Sequence, residues 1–527
     1  LDDCVLNSRQ IVILWAPHDQ LSRHRRDEST FTGGTSFPND QHHSRKQSQY
    51  RLILDTTDFE FVDNSNASAL PWFPKATSAQ LASNTFQFMF TSGTTGRPKG
   101  VVHTQWQVSV NAWRAVDMCG FIATDVWLHA APMYHAMDAF AMYAGVFVGA
   151  NQITIAAPTT TKRTSITFCA IDAVHAIADR RVTATAMTAM QLALLLDHLG
   201  GNSPADDIRT LRLVSCGGSE IDPELVAMFL AIAPSTVYFT DYGMTEAGGR
   251  VCVSLTSLSE EAILCALPAR IQASFVSRAG RAATGVEVIV ARRPIGISVA
   301  DKNLSGKEAE NQSDSNLELV HNDGEEVGEV LIRGATVFEG YWDSNLQAPC
   351  AATSAGAFES GGWFRTGDAA VVDAHGWITV VDRVKDIVIT GGENVFCHEV
   401  ETTLRSHPAI IEAAVYSRPD PLLGELVEAA VVTRKTQNSG RDVTERELLA
   451  HCGNTLASYK LPHVVLFVEA LPTTSTGKVR KELLRDAAAK SSRALDLAKE
   501  AEEPDLAIPL PNRALLVQMI RKEIEDI

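Results

Sequence analysis

From Phe90 to Val102 the chain concentrates hydroxyls, glycines and one lysine in a short stretch directly after an apolar run. Gly93, Gly96 and Gly100 free the backbone to take positive φ and approach a ligand, so successive N–H groups can converge on phosphate oxygens. Thr91, Ser92, Thr94 and Thr95 add hydroxyl donors, and Lys99 adds a mobile positive charge. The chemistry these residue types offer is the cradling of a polyphosphate. It is not that of a Walker A loop, because Gly100, and not Ser or Thr, follows the lysine. Taken alone, the same stretch also reads as an ordinary Gly/Ser/Thr connection between a strand and a helix.

Four further clusters follow in order: Asp241 to Gly248, Gly362 to Asp368, Asp382 to Asp386, and Thr473 to Lys481. Each has a bland reading when isolated. Glu246 is then an acid at a strand end, and Asp382 with Arg383 a surface ion pair worth about 0–1 kcal/mol. Lys478, close to Arg480 and Lys481, is then part of a basic surface loop.

Ordered elements have to bring such groups together. Phe86 to Phe90 reads as a strand feeding the first loop, and Leu52 to Leu54 as another. Helical periodicity runs from Gln105 to Asp117 and from Ala186 to Leu199. Between and after these helices come β-rich runs at Arg212 to Ser215, Thr236 to Phe239 and Val286 to Val290. That alternation predicts an α/β layered core with parallel pairing. Residues 299–326 lack apolar periodicity and read as a surface insertion. Beyond Arg383, a strand at Ile387 to Ile389, a Gly391-Gly392 turn, a helix at His398 to Ser406 and strands at Ala413 to Tyr416 and Glu428 to Thr433 predict one small α+β domain. The expected division is a poorly ordered segment 1–50, a core 51–382, a C-terminal domain 383–486 and a tail 487–527.

Composition narrows the classes. Of 527 residues, 45% are hydrophobic and 21% charged, which fits a globular chain of several domains. A net charge of −17 argues against a general nucleic-acid binder and against attraction to anionic membranes. Nine cysteines without a CxxC pair fit free thiols better than a disulfide framework or a zinc site. The longest apolar stretch, Ala136 to Ile155, is broken by Asp138, Asn151 and Gln152 and reads as buried helix and strand, not as a membrane span. The start at Leu1 shows no charged-then-apolar signal pattern and Glu525-Asp526-Ile527 does not form a Ser-Lys-Leu ending, so an intracellular place, cytoplasmic or organellar, is expected. Nothing in the sequence fixes an oligomeric state.

The five clusters, in this order, resemble the motifs of the adenylate-forming superfamily, which includes acyl- and aryl-CoA ligases, luciferases and the adenylation domains of peptide synthetases. The resemblance covers about Phe86 to Arg485. It implies a large N-terminal domain of layered α/β subdomains plus a β-rich subdomain, its N-terminal part incomplete, and a small mobile α+β C-terminal domain. It implies ATP, Mg²⁺ and coenzyme A as ligands, with a small carboxylic acid as the group activated.

Carried over position by position, the resemblance makes Thr91, Ser92, Gly93, Thr94, Thr95 and Lys99 the phosphate loop, and Gly217, Gly218 and Ser219 one wall of the adenine slot. Asp241 and Tyr242 form the opposite wall, Tyr242 stacking on adenine. Thr245 then serves the α-phosphate and Glu246 binds Mg²⁺, an oxygen ligand of the kind that ion prefers. Asp368 and Arg383 reach the ribose, Lys385 is the hinge, and Gly391 and Gly392 line the pantetheine path. Lys478 is presented to the carboxylate and the α-phosphate, where its charge offsets the charge of the transition state.

In Pro132-Met-Tyr-His135, His135 stands where CoA ligases carry a histidine; a core histidine satisfied by backbone is the alternative. Asp138 falls too late in that motif to pair with an amino group as in peptide synthetases. The expected function is ATP-dependent conversion of a carboxylic acid to an acyl-adenylate, then transfer to CoA. Hydrophobic, fatty acyl, succinylbenzoate and cinnamoyl acids stay open as substrates. So do a non-CoA acceptor and an inactive homologue retaining nucleotide affinity, since the first fifty residues look unlike the helix-rich start of relatives.

Overall fold

The computed structural model describes residues 13–15, 85–91, 99–155, 168–201, 208–219, 221–255, 278–292, 317–343, 348–350, 354, 356–434, 443–474 and 478–490. Among the described residues the strands form four sheets. The first runs β1 (Ile13–Trp15), β2 (Thr85–Thr91), β3 (Lys99–Thr104), β13 (Tyr341–Asp343) and β14 (Ala348–Cys350). Its central pair is a hairpin in which Thr91 faces Lys99. The loop carrying the first motif therefore joins two antiparallel strands, where the bland reading put it between a strand and a helix.

The second sheet is the scaffold of the site. In spatial order it runs β10 (Arg281–Ala282), β9 (Gly249–Leu255), β8 (Val237–Met244), β7 (Leu213–Gly217), β6 (Ala184–Thr188), β4 (Val126–His129) and β5 (Asn151–Thr154), and the run from β8 to β5 is parallel throughout. The helices α1 (Gln105–Cys119), α2 (Ala136–Val148), α3 (Ala170–Arg180), α4 (Ala189–Gly201) and α5 (Pro223–Ile232) cover it. Because successive strand residues point to opposite faces, Trp127, Ala184, Ala186, Leu213 and Phe239 pack with α1 and α2. Their neighbours Leu128, Met187, Val214, Cys216 and Tyr238 pack with α3, α4 and α5. Each fully buried large aliphatic side chain contributes about 1.5–3 kcal/mol, so burial on both faces is what holds this parallel sheet.

Local signals set the helix starts. Thr104 and Gln107 form a reciprocal capping box at α1, and the helix ends at Gly120 in the left-handed region. Asp222 caps α5, with Pro223 in the first turn. The expected helix from Ala186 is corrected: residues 184–188 are the buried strand β6, and the helix begins only after Thr188, whose hydroxyl and backbone exchange hydrogen bonds with Gln191. Interior sheet pairing outweighs the helical period across those three residues.

A third sheet holds β11 (Val286–Ala291), β12 (Gly328–Gly334), β16 (Trp363–Val372) and β15 (Phe358–Glu359), with β17 (Ile378–Arg383) paired to β16. Residues 299–316 of the expected insertion lie outside the described residues. Its end does not stand free: Val320 is buried and its N–H donates to Val290, while Arg292 donates to Glu318. The fourth sheet builds the small domain from β19 (Glu393–Val395), β18 (Val388–Thr390), β21 (Gly424–Thr433), β20 (Ile410–Asp420) and β22 (Val464–Phe467). Helices α6 (Cys397–Arg405) and α7 (Glu445–Gly453) pack on one face of it. A last helix over residues 481–490 packs Leu484, Ala487 and Ala488 on the other. The tail expected from 487 thus starts inside a docked helix, because those alanines face the sheet. The expected strand at Leu52 to Leu54 and residues 491–527 lie outside the described residues. No helix among the described residues is long and apolar enough to cross a membrane.

Candidate functional site

Parallel strands end together, and β4, β6, β7 and β8 deliver their carboxyl ends to one edge of the second sheet. In open α/β sheets that edge is where ligands bind. Here it carries Pro132 and His135 after β4, Thr188 at the end of β6, Gly217 to Ser219 at β7, and Asp241 to Glu246 along β8 and the following turn. A cavity of about 50 Å³ opens there, lined by Pro132, His135, Met137, Thr188, Met190, Gly218, Ser219 and Lys478. Gly217 has to be glycine, since a Cβ would stand 2.6 Å from the Asp241 carbonyl oxygen. Asp241 faces away from any ligand role for its carboxylate: Ser215 donates to one oxygen at 2.5 Å and Arg250 to the other at 2.8 Å. Its place is in the wall, as a brace between β7 and β9.

The phosphate-loop hairpin leans on the turn that follows β8. Ser92, Gly93, Thr94 and Thr95 lie outside the described residues; Thr91 and Lys99 pair as the last described residues on either side of them. The Lys99 ammonium sits 4.6 Å from the Tyr341 ring centroid. The Tyr341 hydroxyl donates to Glu246 Oε1 at 2.8 Å, and Phe338 donates its N–H to the Glu246 carbonyl at 2.8 Å. Burial raises the Glu246 carboxyl above its ordinary range, partly offset by the Tyr341 bond and by Arg383 and Lys99. No ion pair closes on Glu246 among the described residues.

Behind the turn, His103 Nε2 lies 2.7 Å from the Thr245 carbonyl and His103 Nδ1 lies 3.1 Å from Gln87 Nε2. Burial lowers the His103 pKa to about 4, so the ring is neutral.

A second group forms across β16 and β17. The Tyr242 hydroxyl donates to Asp368 Oδ2 at 2.7 Å, and Arg383 Nε approaches Asp368 Oδ1 at 3.3 Å. Tyr242, Asp368 and Arg383 therefore stand together, although 126 and 15 residues separate them along the chain. Asp382 does not pair with the Arg383 side chain; it accepts from the N–H groups of Arg383 and His398. The surface-pair reading is replaced by a cluster at the site.

Lys478 comes from the small domain. Thr474 donates its N–H to Lys478 O at 2.8 Å, Lys478 donates its N–H to Thr474 Oγ1 at 3.1 Å, and Arg480 donates to Pro472 O at 2.8 Å. This tight hairpin turns the lysine toward the cavity. The residue is exposed by its surface area; desolvation by the groups its ammonium faces, with Arg383 nearby, lowers its pKa to about 8. His135 caps α2, accepting from Met137 N at 3.5 Å, and shares the cavity with Lys478. Burial, with Lys478 adding to it, lowers the His135 pKa. Lys385 is exposed on the 3₁₀ turn Val384–Asp386 that leads from β17 into the small domain. Gly391 and Gly392 make the turn between β18 and β19 with φ of 59° and 87°, outside the lining of the cavity.

Thr188 and Met190 line the site but carried no signal of their own in the sequence. Asp138 is fully buried, bonded by His129 Nδ1 at 2.8 Å and Trp127 Nε1 at 3.4 Å, so it offers nothing to a substrate amine.

Two family models match the chain: AMP-binding enzyme over residues 29–342 and AMP-binding enzyme C-terminal domain over residues 399–478. A probable CoA ligase of Humulus lupulus is 34% identical over 401 residues, 75% of this chain and 62% of that protein. The 2-methylpropanoate–CoA ligase of the same plant is 32% identical, over 76% of this chain and 63% of that protein. The chain thus spans less than two thirds of the length of these relatives. Among solved structures, the o-succinylbenzoate CoA synthetase of Bacillus subtilis in complex with AMP superposes with a TM-score of 0.58 at 26% identity, covering 76% of this chain and 69% of that one.

Proposed function

As a member of the AMP-binding enzyme family, the chain has a reaction to assign, and we propose that it activates a small carboxylic acid with ATP to an acyl-adenylate and passes the acyl group to CoA. The observation that carries this reading is the Lys478 side chain, delivered by one domain into a cavity built by the carboxyl edge of another. A cation set between an acid pocket and a nucleotide wall serves attack of a carboxylate on an α-phosphate. The names of the relatives, CoA ligases, support the same class.

In this reading the phosphate-loop hairpin and Lys99 hold the β- and γ-phosphates. Tyr242 flanks the base, while Asp368, braced by the Tyr242 hydroxyl and Arg383, accepts from the ribose hydroxyls. Glu246 fits a magnesium ligand: it is a buried carboxylate, oriented by Tyr341, and no cluster of three protein ligands surrounds it among the described residues. That donor set suits an ion that draws its remaining oxygens from phosphates and water. Magnesium, when bound, neutralises phosphate charge. The carboxylate of the acid enters beside His135, Thr188 and Ser219 and attacks the α-phosphorus; pyrophosphate leaves, and Lys478 offsets the charge on the transferring group without forming a bond to it. Rotation of the small domain about Lys385 then withdraws Lys478 and lets the CoA thiol attack the acyl carbon, releasing AMP. The apolar lining by Pro132, Met137 and Met190 favours an acid with a hydrophobic body.

The test is pyrophosphate release by purified protein across a panel of aliphatic and aromatic acids, with and without CoA. Acid-dependent release followed by CoA-dependent thioester is expected. Release without thioester would redirect the acceptor to another nucleophile, and no release with any acid would leave nucleotide binding alone.

A further inference from the structure

The bond between His103 and Thr245 joins two parts of the nucleotide site that are far apart in sequence. His103 lies on β3, the return strand of the phosphate-loop hairpin; Gln87 lies on β2, the outgoing strand. Thr245 opens the turn that carries Glu246. A carbonyl oxygen only accepts, so the 2.7 Å contact to Thr245 requires the proton on His103 Nε2. His103 Nδ1 then accepts from the Gln87 amide at 3.1 Å, and Gln87 Oε1 in turn accepts from the Tyr143 hydroxyl at 2.6 Å. This relay leaves one tautomer consistent with every partner. Gln87 and His103 are completely buried, and the Phe140 ring packs edge-on against the imidazole at 5.4 Å, so neither side chain has water as an alternative partner.

Resting on the adenylation reading, we propose that His103 is a positioning residue that fixes the turn of Thr245 and Glu246 against the phosphate-loop hairpin, so that phosphate groups meet both halves of the site already in register. A buried histidine that merely filled space would need a shape and a partner. It would not need its donor aimed at the one backbone carbonyl between the α-phosphate residue and the metal ligand. The effect of losing this bond falls on phosphate recognition and spares the nucleoside, which contacts Tyr242, Asp368 and Arg383.

The measurement is the preference for AMP over adenosine, obtained by calorimetry or competition on the full chain, together with thermal stability. His103→Gln places an amide nitrogen near Nε2 and is expected to keep most of the preference. His103→Phe keeps the ring but not the donor, and the preference should fall about tenfold, the weight of one buried hydrogen bond to a positioned group. Gln87→Met leaves the tautomer unfixed and should cause a smaller fall in the same direction; it decides the question if His103→Phe does not fold. Unchanged preference in folded His103→Phe, or in Gln87→Met where the first does not fold, overturns the inference and leaves the adenylation reading standing. A wild-type chain that binds AMP no better than adenosine overturns both.

Discussion

On the proposed reading Lys99 and Lys478 bring the same charge to the same nucleotide, but the molecule holds them in opposite ways. Lys99 begins a strand paired to Thr91, and its ammonium rests over the Tyr341 ring, whose hydroxyl holds Glu246. On the same hairpin Gln87 and His103 are buried and hydrogen-bonded to Tyr143 and Thr245 of the large domain. Lys478 rides on a short hairpin of the small domain, and ion pairs of that domain close within it: Arg480 with Glu482, Lys481 with Glu401, Lys460 with Glu399, and Arg485 with Asp386. The first lysine belongs to a fixed binding surface. The second belongs to a body that keeps its own integrity if it turns about Lys385, so one cation can serve binding throughout and the other a single step.

The comparison breaks first at Lys478. Lys478→Ala should lower acid-dependent pyrophosphate release by about 10²- to 10³-fold, the usual cost of a lost charge-stabilising donor, while thioester formation from supplied acyl-adenylate persists. Equal loss of both activities would make the two lysines equivalent. Lys385→Pro should invert the pattern, slowing thioester formation by about a hundredfold through misplacement of the reacting groups and leaving adenylation intact. Lys99→Ala sharpens the contrast: a raised KM for ATP, by about tenfold, with little change in kcat is the signature of binding that is uniform between ground and transition states.

Acidity gives two further readings. With its pKa lowered to about 8, Lys478 is charged below that pH and neutral above it. The kcat/KM for ATP in pyrophosphate release should therefore be level near pH 7 and fall about tenfold per unit well above pH 8, a fall that no Lys478 variant shows. His103 reports on the other region. Its pKa is about 4 in the folded chain against 6.5 when exposed, so between those values the unfolded chain binds more protons. Its contribution to stability is full above pH 6.5 and is lost on acidification toward 4, by at most about 1.4 kcal/mol per pH unit. Denaturant titrations at pH 7, 6 and 5 measure this slope, and His103→Gln should flatten it.

Much of the site was legible because its chemistry comes in compact strings. The octapeptide ending at Gly248 lies on one strand end and the turn after it, while Thr91 pairs with Lys99 and Thr474 with Lys478 a few residues apart, so type and spacing already constrain geometry. The fold class followed from alternating strand and helix patterns for a similar reason: period 2 and period 3.6 are local properties. Legibility failed where a residue's partner is remote. The sequence placed Asp241 in a wall of the slot but did not show Ser215 and Arg250, the remote partners that hold its carboxylate. Residues 186–188 carried a helical period but continue a largely buried strand paired with β7, and that pairing decides. Ala487 and Ala488 read as tail because nothing local shows the sheet they cover.

The sequence by itself determined which groups are available and in what order: the Gly/Ser/Thr run with Lys99, the acid at 246, Asp368 with Arg383, and the lysine at 478. Only the tertiary structure decided which of them share a site and how each is held. Tyr341 became the support of both Lys99 and Glu246, and His103 became a bond between hairpin and turn. The reason is physical. Backbone preferences and hydrogen bonds within a turn act over a few residues, whereas desolvation and the matching of buried donors to acceptors depend on groups that meet only when the sheets and helices close.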